Sequence, residues 1–153
     1  MNDADSLAAL YRRHRAAIVA WARGNIREYV SMVSHSEDFT LMAPFGGAPS
    51  RGFDRSEGNV AAIDAYFSGG DGDVELVESY ASGDMVVFAT IERQHCLVGG
   101  LPDQDWSLRV TVVYRREGHE WRLVHRHADP LARAVGLEVA ARIARGELSA
   151  VTP

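Results

Sequence analysis

The sequence has no lysine: its 16 basic residues are all arginine, and 21 acidic residues outnumber them, leaving a net charge of -5. That balance offers no phosphate-neutralising surface of the kind a general nucleic-acid binder needs, so no nucleic-acid partner is expected. The exclusive use of arginine carries no functional weight. Cysteine is nearly absent as well. Cys96 stands alone, which rules out an intrachain disulfide and points to a reducing compartment, the cytoplasm. The opening MNDADSLAAL is acidic and lacks the basic and apolar regions of a secretory signal. No stretch approaches the roughly 20 apolar residues that a membrane span needs, so no membrane partner is expected. There is no low-complexity segment, internal repeat or linker, and residues 1–153 are read as one domain.

What is present is the composition of a globular protein, 46% hydrophobic and 24% charged, long enough to bury a core. Its periodicity changes once along the chain. Asp5 or Ser6 can cap a first helix on which Leu7, Leu10, Tyr11, His14, Ile18 and Trp21 recur at three- and four-residue spacing. Gly24 ends it, and Asn25 can cap a shorter helix carrying Ile26, Tyr29, Val30 and Val33. A short strand, 37–43, stops at Pro44 and Gly46-Gly47. Residues 54–69 then read as a third helix, with Val60, Ile63, Tyr66 and Phe67 on its inner side.

From Gly72 the period becomes two, in four strand-like runs at 73–82, 84–98, 106–117 and 120–129, separated by turn residues. Residues 130–146 read as a final helix with Pro130 in its first turn. Helices followed by long antiparallel strands define an α+β domain. Residues 85–91 and 108–114 are apolar on both alternating faces. Helices can cover only one face of such a sheet, so a second copy of the chain is the expected cover of the other, giving a homodimer through the outer sheet face.

The final strand, WRLVHRHADP (121–130), raises the chemical question. Strict alternation puts Trp121, Leu123, His125, His127 and Asp129 on one face. A hairpin centred on Gly118 sets Arg109 opposite His127, Thr111 opposite His125 and Arg115 opposite Trp121. Taken as the concave face, Arg109, Thr111, His125, His127 and Asp129 form a polar cluster inside an apolar shell, the mark of a ligand pocket. Arg109 would anchor an anion or carbonyl, His125 and His127 would move protons, and Asp129 would orient an imidazole. Glu92 and Gln94 would extend the pocket from the neighbouring strand. His14 and Tyr66 would reach it from the helices, or serve as hydrogen-bonded core residues. Met42 and Phe67 would be walls. The bland alternative pairs Arg109 with Asp129 or Glu92 and leaves the histidines to backbone groups or a dimer seam. His-x-His spacing also suits a metal, with Glu92 or His95 as third ligand, yet no second metal motif follows, and neither metal nor cofactor is expected. Cys96 is read as a packed thiol.

The order helix, Gly-Asn-capped helix, DFTLMAPFGG, RGFD and LRVTVVYRREGHEWRLVHRHADP resembles the SnoaL-like branch of the nuclear transport factor 2-like (NTF2-like) superfamily. The resemblance covers a core of residues 6–130, leaving a C-terminal helical extension at 131–146. It implies a cone-shaped α+β barrel, a curved and mainly antiparallel sheet wrapped around helices with a pocket between them, and a dimer. It also implies a pocket for a small hydrophobic organic molecule, used either for cofactor-free isomerase, cyclase, dehydratase or hydrolase chemistry or for non-catalytic binding or dimerisation. Matched on Gly24 and Pro44, the positions that carry the ketosteroid isomerase donors and base are Ala17, Ala43 and Thr111 or Val112 here. None of those groups is present, so steroid isomerisation is not expected. Asp129 stands nearest to the acid/base aspartate of the polyketide cyclases.

Overall fold

Helix α1 (Asp3–Ala22) turns one apolar face inward: Leu10, His14, Ala17 and Ile18 are all buried. Gly24 ends it with φ +75°, a left-handed conformation that glycine adopts without strain. Asn25 then caps α2 (Ile26–Met32), its side chain accepting from the Glu28 N–H, as the sequence predicts. The chain continues through β1 (Ser34–Met42), the two-residue β2 (Ser50–Arg51), α3 (Glu57–Tyr66), β3 (Phe67–Ser82), β4 (Met85–Val98), the two-residue β5 (Gln104–Asp105), β6 (Leu108–Glu117) and β7 (Glu120–Pro130) to α4 (Leu137–Ala144). The computed structural model describes residues 3–147.

The strands form one sheet in the order β2-β1-β7-β6-β4-β3, with β5 paired to β4. Only β1 and β7 run parallel. The fold is therefore α+β with a mixed, mainly antiparallel sheet, as expected, and the sheet is open, with β2 and β3 at its ends. Its concave face meets the helices: Phe88, Val110, Val112, Tyr114 and Leu123 share a core with Leu10, Ala17, Ile18, Tyr29 and Val33. Among the described residues no helix is long and apolar enough to cross a membrane.

Several boundaries differ from the expected ones: α1 already includes Asp5 and Ser6, the expected caps, and β1 begins at Ser34. The third helix is shorter than 54–69, starting after the Ser56 cap and ending at Tyr66. The glycines that looked like its end belong to β3, where they permit close approach: a Cβ on Gly70 would lie 1.9 Å from the His95 carbonyl oxygen. At the far end, Pro130 closes β7 instead of opening a helix. The Leu131 N–H donates to the Ser107 carbonyl at 2.8 Å, and the helix begins only after Gly136.

The more consequential difference is a β-bulge in the last hairpin. Glu117 faces Glu120 across a two-residue turn, Gly118-His119, and Tyr114 faces Leu123, but Val113 faces His125, so Val124 is an extra residue in β7. A bulge inserts one residue and inverts the facing of everything beyond it. Leu123 is thus buried in the core, while His125 lies on the opposite side of the sheet and Arg126 points inward opposite Val112.

Candidate functional site

Between the concave face and the helices lies a cavity of about 440 Å³. Ile18 and Trp21 of α1, Tyr29 of α2, and Asn59 and Ile63 of α3 form one side. His35, Phe39 and Leu41 of β1, Phe67 of β3, Glu92 and Gln94 of β4, Leu108 of β6 and Arg126 of β7 form the other. The loop segments carrying Phe45, Phe53 and Trp106 complete it. Arg55 fixes the Phe53 segment by donating to the Val33 carbonyl at 2.8 Å and to that of Val30, which satisfies carbonyls at the end of α2.

The lining is mainly aromatic and aliphatic, with one ion pair set into it. The two Arg126 Nη groups donate to the two Glu92 carboxylate oxygens at 2.6 and 2.8 Å. The Glu92 side chain is 1% exposed and that of Arg126 17%. Burial works against the guanidinium charge, but the Glu92 carboxylate beside it more than compensates, and the Arg126 pKa is raised. Among the described residues Glu92 is the only protein partner of this guanidinium, and its remaining N–H groups are available to a ligand.

A second polar pair stands in the wall. His35 stacks on Phe53, centroids 4.0 Å apart, and its Nε2 is 3.2 Å from the Tyr29 hydroxyl. Its Nδ1 is buried without a partner among the described residues. Burial, with the Arg55 charge, pushes the imidazole down to about 4, and burial pushes the Tyr29 phenol up to about 12. Both are neutral at pH 7.

His14 lies deeper, in the core and outside the cavity lining, with Nδ1 2.9 Å from the Tyr114 hydroxyl. Burial, opposed in part by Glu92, holds it at about 4. Of the other residues expected at the pocket, Glu92, Gln94 and Phe67 line it. Tyr66 does not line it; it is 46% exposed and stands beside the lining residues Phe45 and Phe67. Met42 and Thr111 are exposed on the outer face, opposite His127 from β1 and β6.

The residues expected to do chemistry are brought together, but on that outer face. Arg109 pairs with Asp129 and Thr111 with His127, two residues along from the expected register, one from the two-residue turn and one from the bulge. His127 Nε2 is 3.3 Å from an Asp129 carboxylate oxygen, and His125 Nδ1 is 2.8 Å from the Thr40 hydroxyl. Taking this face as the concave one is corrected by the burial: Arg109, Thr111, His127 and Asp129 are exposed, whereas their neighbours Leu108, Val110, Val112 and Ala128 are buried under the helices. Glu92 lies on the other side of the sheet from the histidines and cannot share a metal with them. Among the described residues no three His, Cys, Asp or Glu side chains are grouped to hold a metal. Cys96 is buried and its thiol is pushed up to about 11 by burial, as a packed thiol should be.

Arg126, Tyr29 and His35 escaped the sequence reading. One signal did exist for Arg126. Glu92 interrupts an apolar strand at an inward position, and a buried carboxylate requires a cation.

The open sheet wrapped over helices around an aromatic cavity defines a class of small cone-like α+β proteins with an internal pocket. Residues 12–132 match the model of the SnoaL-like domain, and the chain belongs to that family. Solved structures share its fold. A proposed scytalone dehydratase from Novosphingobium aromaticivorans is 13% identical with a TM-score of 0.66, over 87% of this chain and 97% of that one. A proposed dehydratase of the NTF2-like family from Streptomyces avermitilis is 20% identical with a TM-score of 0.64, over 86% and 97%. The CaMKII hub homology domain of Chlamydomonas reinhardtii is 20% identical with a TM-score of 0.61, over 83% and 99%. No curated protein matches the chain.

Proposed function

We propose that this SnoaL-like chain holds a small hydrophobic organic molecule in the concave cavity, anchored through an oxygen function on Arg126. The observation that carries this reading is the bidentate Arg126–Glu92 pair in an otherwise largely apolar wall. Buried ion pairs are poor stabilisers. Apolar residues of the same volume often serve as well or better, by ~1–4 kcal/mol. A charge kept at the cavity surface, its partner fixing its orientation, is suited to a ligand. A cavity of about 440 Å³ is within the range of small-molecule sites.

A second reading, proton transfer without a cofactor, is favoured by His35. A neutral imidazole in the cavity wall, its Nε2 steadied by the Tyr29 hydroxyl, can take a proton from a bound molecule once the ring turns its buried Nδ1 toward the cavity, as Arg126 stabilises the developing oxyanion. In this reading the acid/base role falls to His35, and Arg109, His125, His127 and Asp129 lie in the seam of a homodimer. Val87, Ala89, Ile91 and Val113, partly exposed at the centre of the outer face, are the apolar strip a second copy would cover. Three solved structures of similar fold are described as CaMKII association or hub domains, which accords with self-association. The lone thiol suits the cytoplasm, where we place the protein.

Crystals grown with 2-naphthoate, a flat carboxylate, test the ligand reading. Electron density is expected in the cavity with the carboxylate on Arg126. Density confined to the outer histidines would contradict it.

A further inference from the structure

Phe45 is 58% exposed, yet it lines the cavity. It is carried by the loop Pro44-Phe45-Gly46-Gly47-Ala48-Pro49 between β1 and β2. Gly46 and Gly47 have φ +76° and +83°, and nothing lies within 4 Å of a Cβ placed on either. The Gly46 N–H donates to the Ala43 carbonyl at 3.1 Å, and the space beside both glycines is open.

The rings beside Phe45 are anchored differently. Trp106 follows β5, and its N–H donates to the Gln94 carbonyl at 2.8 Å. Tyr66 ends α3; its carbonyl accepts from the Gly99 N–H at 2.9 Å, and its ring lies so close over Gly99 that a Cβ there would stand 3.1 Å away. The Phe45 centroid is 5.5 Å from Trp106 and 6.4 Å from Tyr66. Inward from Tyr66 the series continues edge to face through Phe67 (5.1 Å) to Trp21 (5.3 Å).

We infer that Phe45 is the moving leaf of an aromatic gate whose fixed sides are Trp106 and Tyr66, and that this gate selects flat, ring-bearing molecules for the cavity. The inference rests on the ligand-binding reading above. When Phe45 swings out on the two-glycine turn, the cavity is open. When it swings back, its ring closes against Trp106 and against an aromatic ligand at the 4.5–7 Å centroid separations that aromatic pairs prefer. A saturated molecule of the same size fills the volume but offers no ring face to Phe45 or Trp106.

Stopped-flow tryptophan fluorescence with 2-naphthoate and its saturated counterpart, decahydro-2-naphthoate, tests this, because Trp21 and Trp106 lie in the wall. Wild type is expected to hold the flat probe more tightly. Phe45→Ala, an exposed loop change, is expected to raise association and dissociation rates together, dissociation by about tenfold, and to erase most of the preference for the flat probe. A rise in dissociation alone makes Phe45 a fixed wall and overturns the gate. Equal binding of both probes to wild type overturns the selectivity. If wild type binds neither probe, the ligand-binding reading itself fails; if it binds and Phe45→Ala is unchanged, only the gate fails.

Discussion

Strand β7 carries different chemistry on its two faces. Inward it presents Leu123, Arg126 and Ala128 to a core and a cavity; outward it presents His125, His127 and Asp129 to solvent. Both faces hold a polar side-chain pair that includes a carboxylate, and the pairs differ in kind. Glu92–Arg126 is buried and bidentate, so each charge depends on the other. The His127–Asp129 contact is single, 3.3 Å long, with both side chains about half exposed. Pairs of the second sort are worth ~0–1 kcal/mol, whereas removing one member of the first strands a charge in the interior. The richer cluster of titratable residues is thus not the one the fold has placed at the cavity.

The largest effect should come from splitting the inner pair. Glu92→Leu alone is expected to cost ~3–5 kcal/mol in urea denaturation, and Glu92→Leu/Arg126→Met to recover most of it. A loss below ~1 kcal/mol for the single change would mean that the pair is effectively solvated.

Acid separates the faces next. His14 is held at about 4 by burial, below the ordinary 6.5 it regains on unfolding. Between those values the unfolded chain binds the extra proton, so this contribution is complete above pH ~6.5 and is lost as pH falls through about 4. His35, with the same direction, adds to it. Urea midpoints should therefore fall from pH 7.5 to pH 4.5, with a loss on the order of 3 kcal/mol traceable to His14. His14→Gln should flatten that slope, and an unchanged slope would show that His14 titrates normally.

The smallest effect on fold stability belongs to the outer face. Ile91→Glu is expected to change the stability of the folded chain by about 1 kcal/mol or less, while sedimentation shifts from dimer to monomer. A wild type that sediments as a monomer at micromolar concentration would remove the second copy from the account.

Much of this architecture was legible in the sequence. Gly24-Asn25, the heptad-like face of α1 and the alternation of β4 and β6 each state a local rule that the tertiary structure obeys. The joint placement of Arg109, Thr111, His125, His127 and Asp129 on one face was legible too, because alternation survives within each strand segment. Which face was not legible. Val124 bulges without a glycine or proline to mark it, and one unpaired residue moves Leu123 and His125 to opposite sides. The cavity polar groups were only half visible. Glu92 and Gln94 stood out as polar residues in an apolar strand, but Arg126 was hidden between two histidines. His35 and Tyr29 come from β1 and α2, and their meeting is a tertiary event with no local pattern.

The central claim, that the inner pair and not the outer cluster is the ligand site, is tested most directly by calorimetric titration of 2-naphthoate into three proteins: wild type, Glu92→Leu/Arg126→Met, and His125→Ala/His127→Ala. The account predicts that binding is lost in the first double variant and unchanged in the second. Binding lost with the histidines and kept without the ion pair would contradict it.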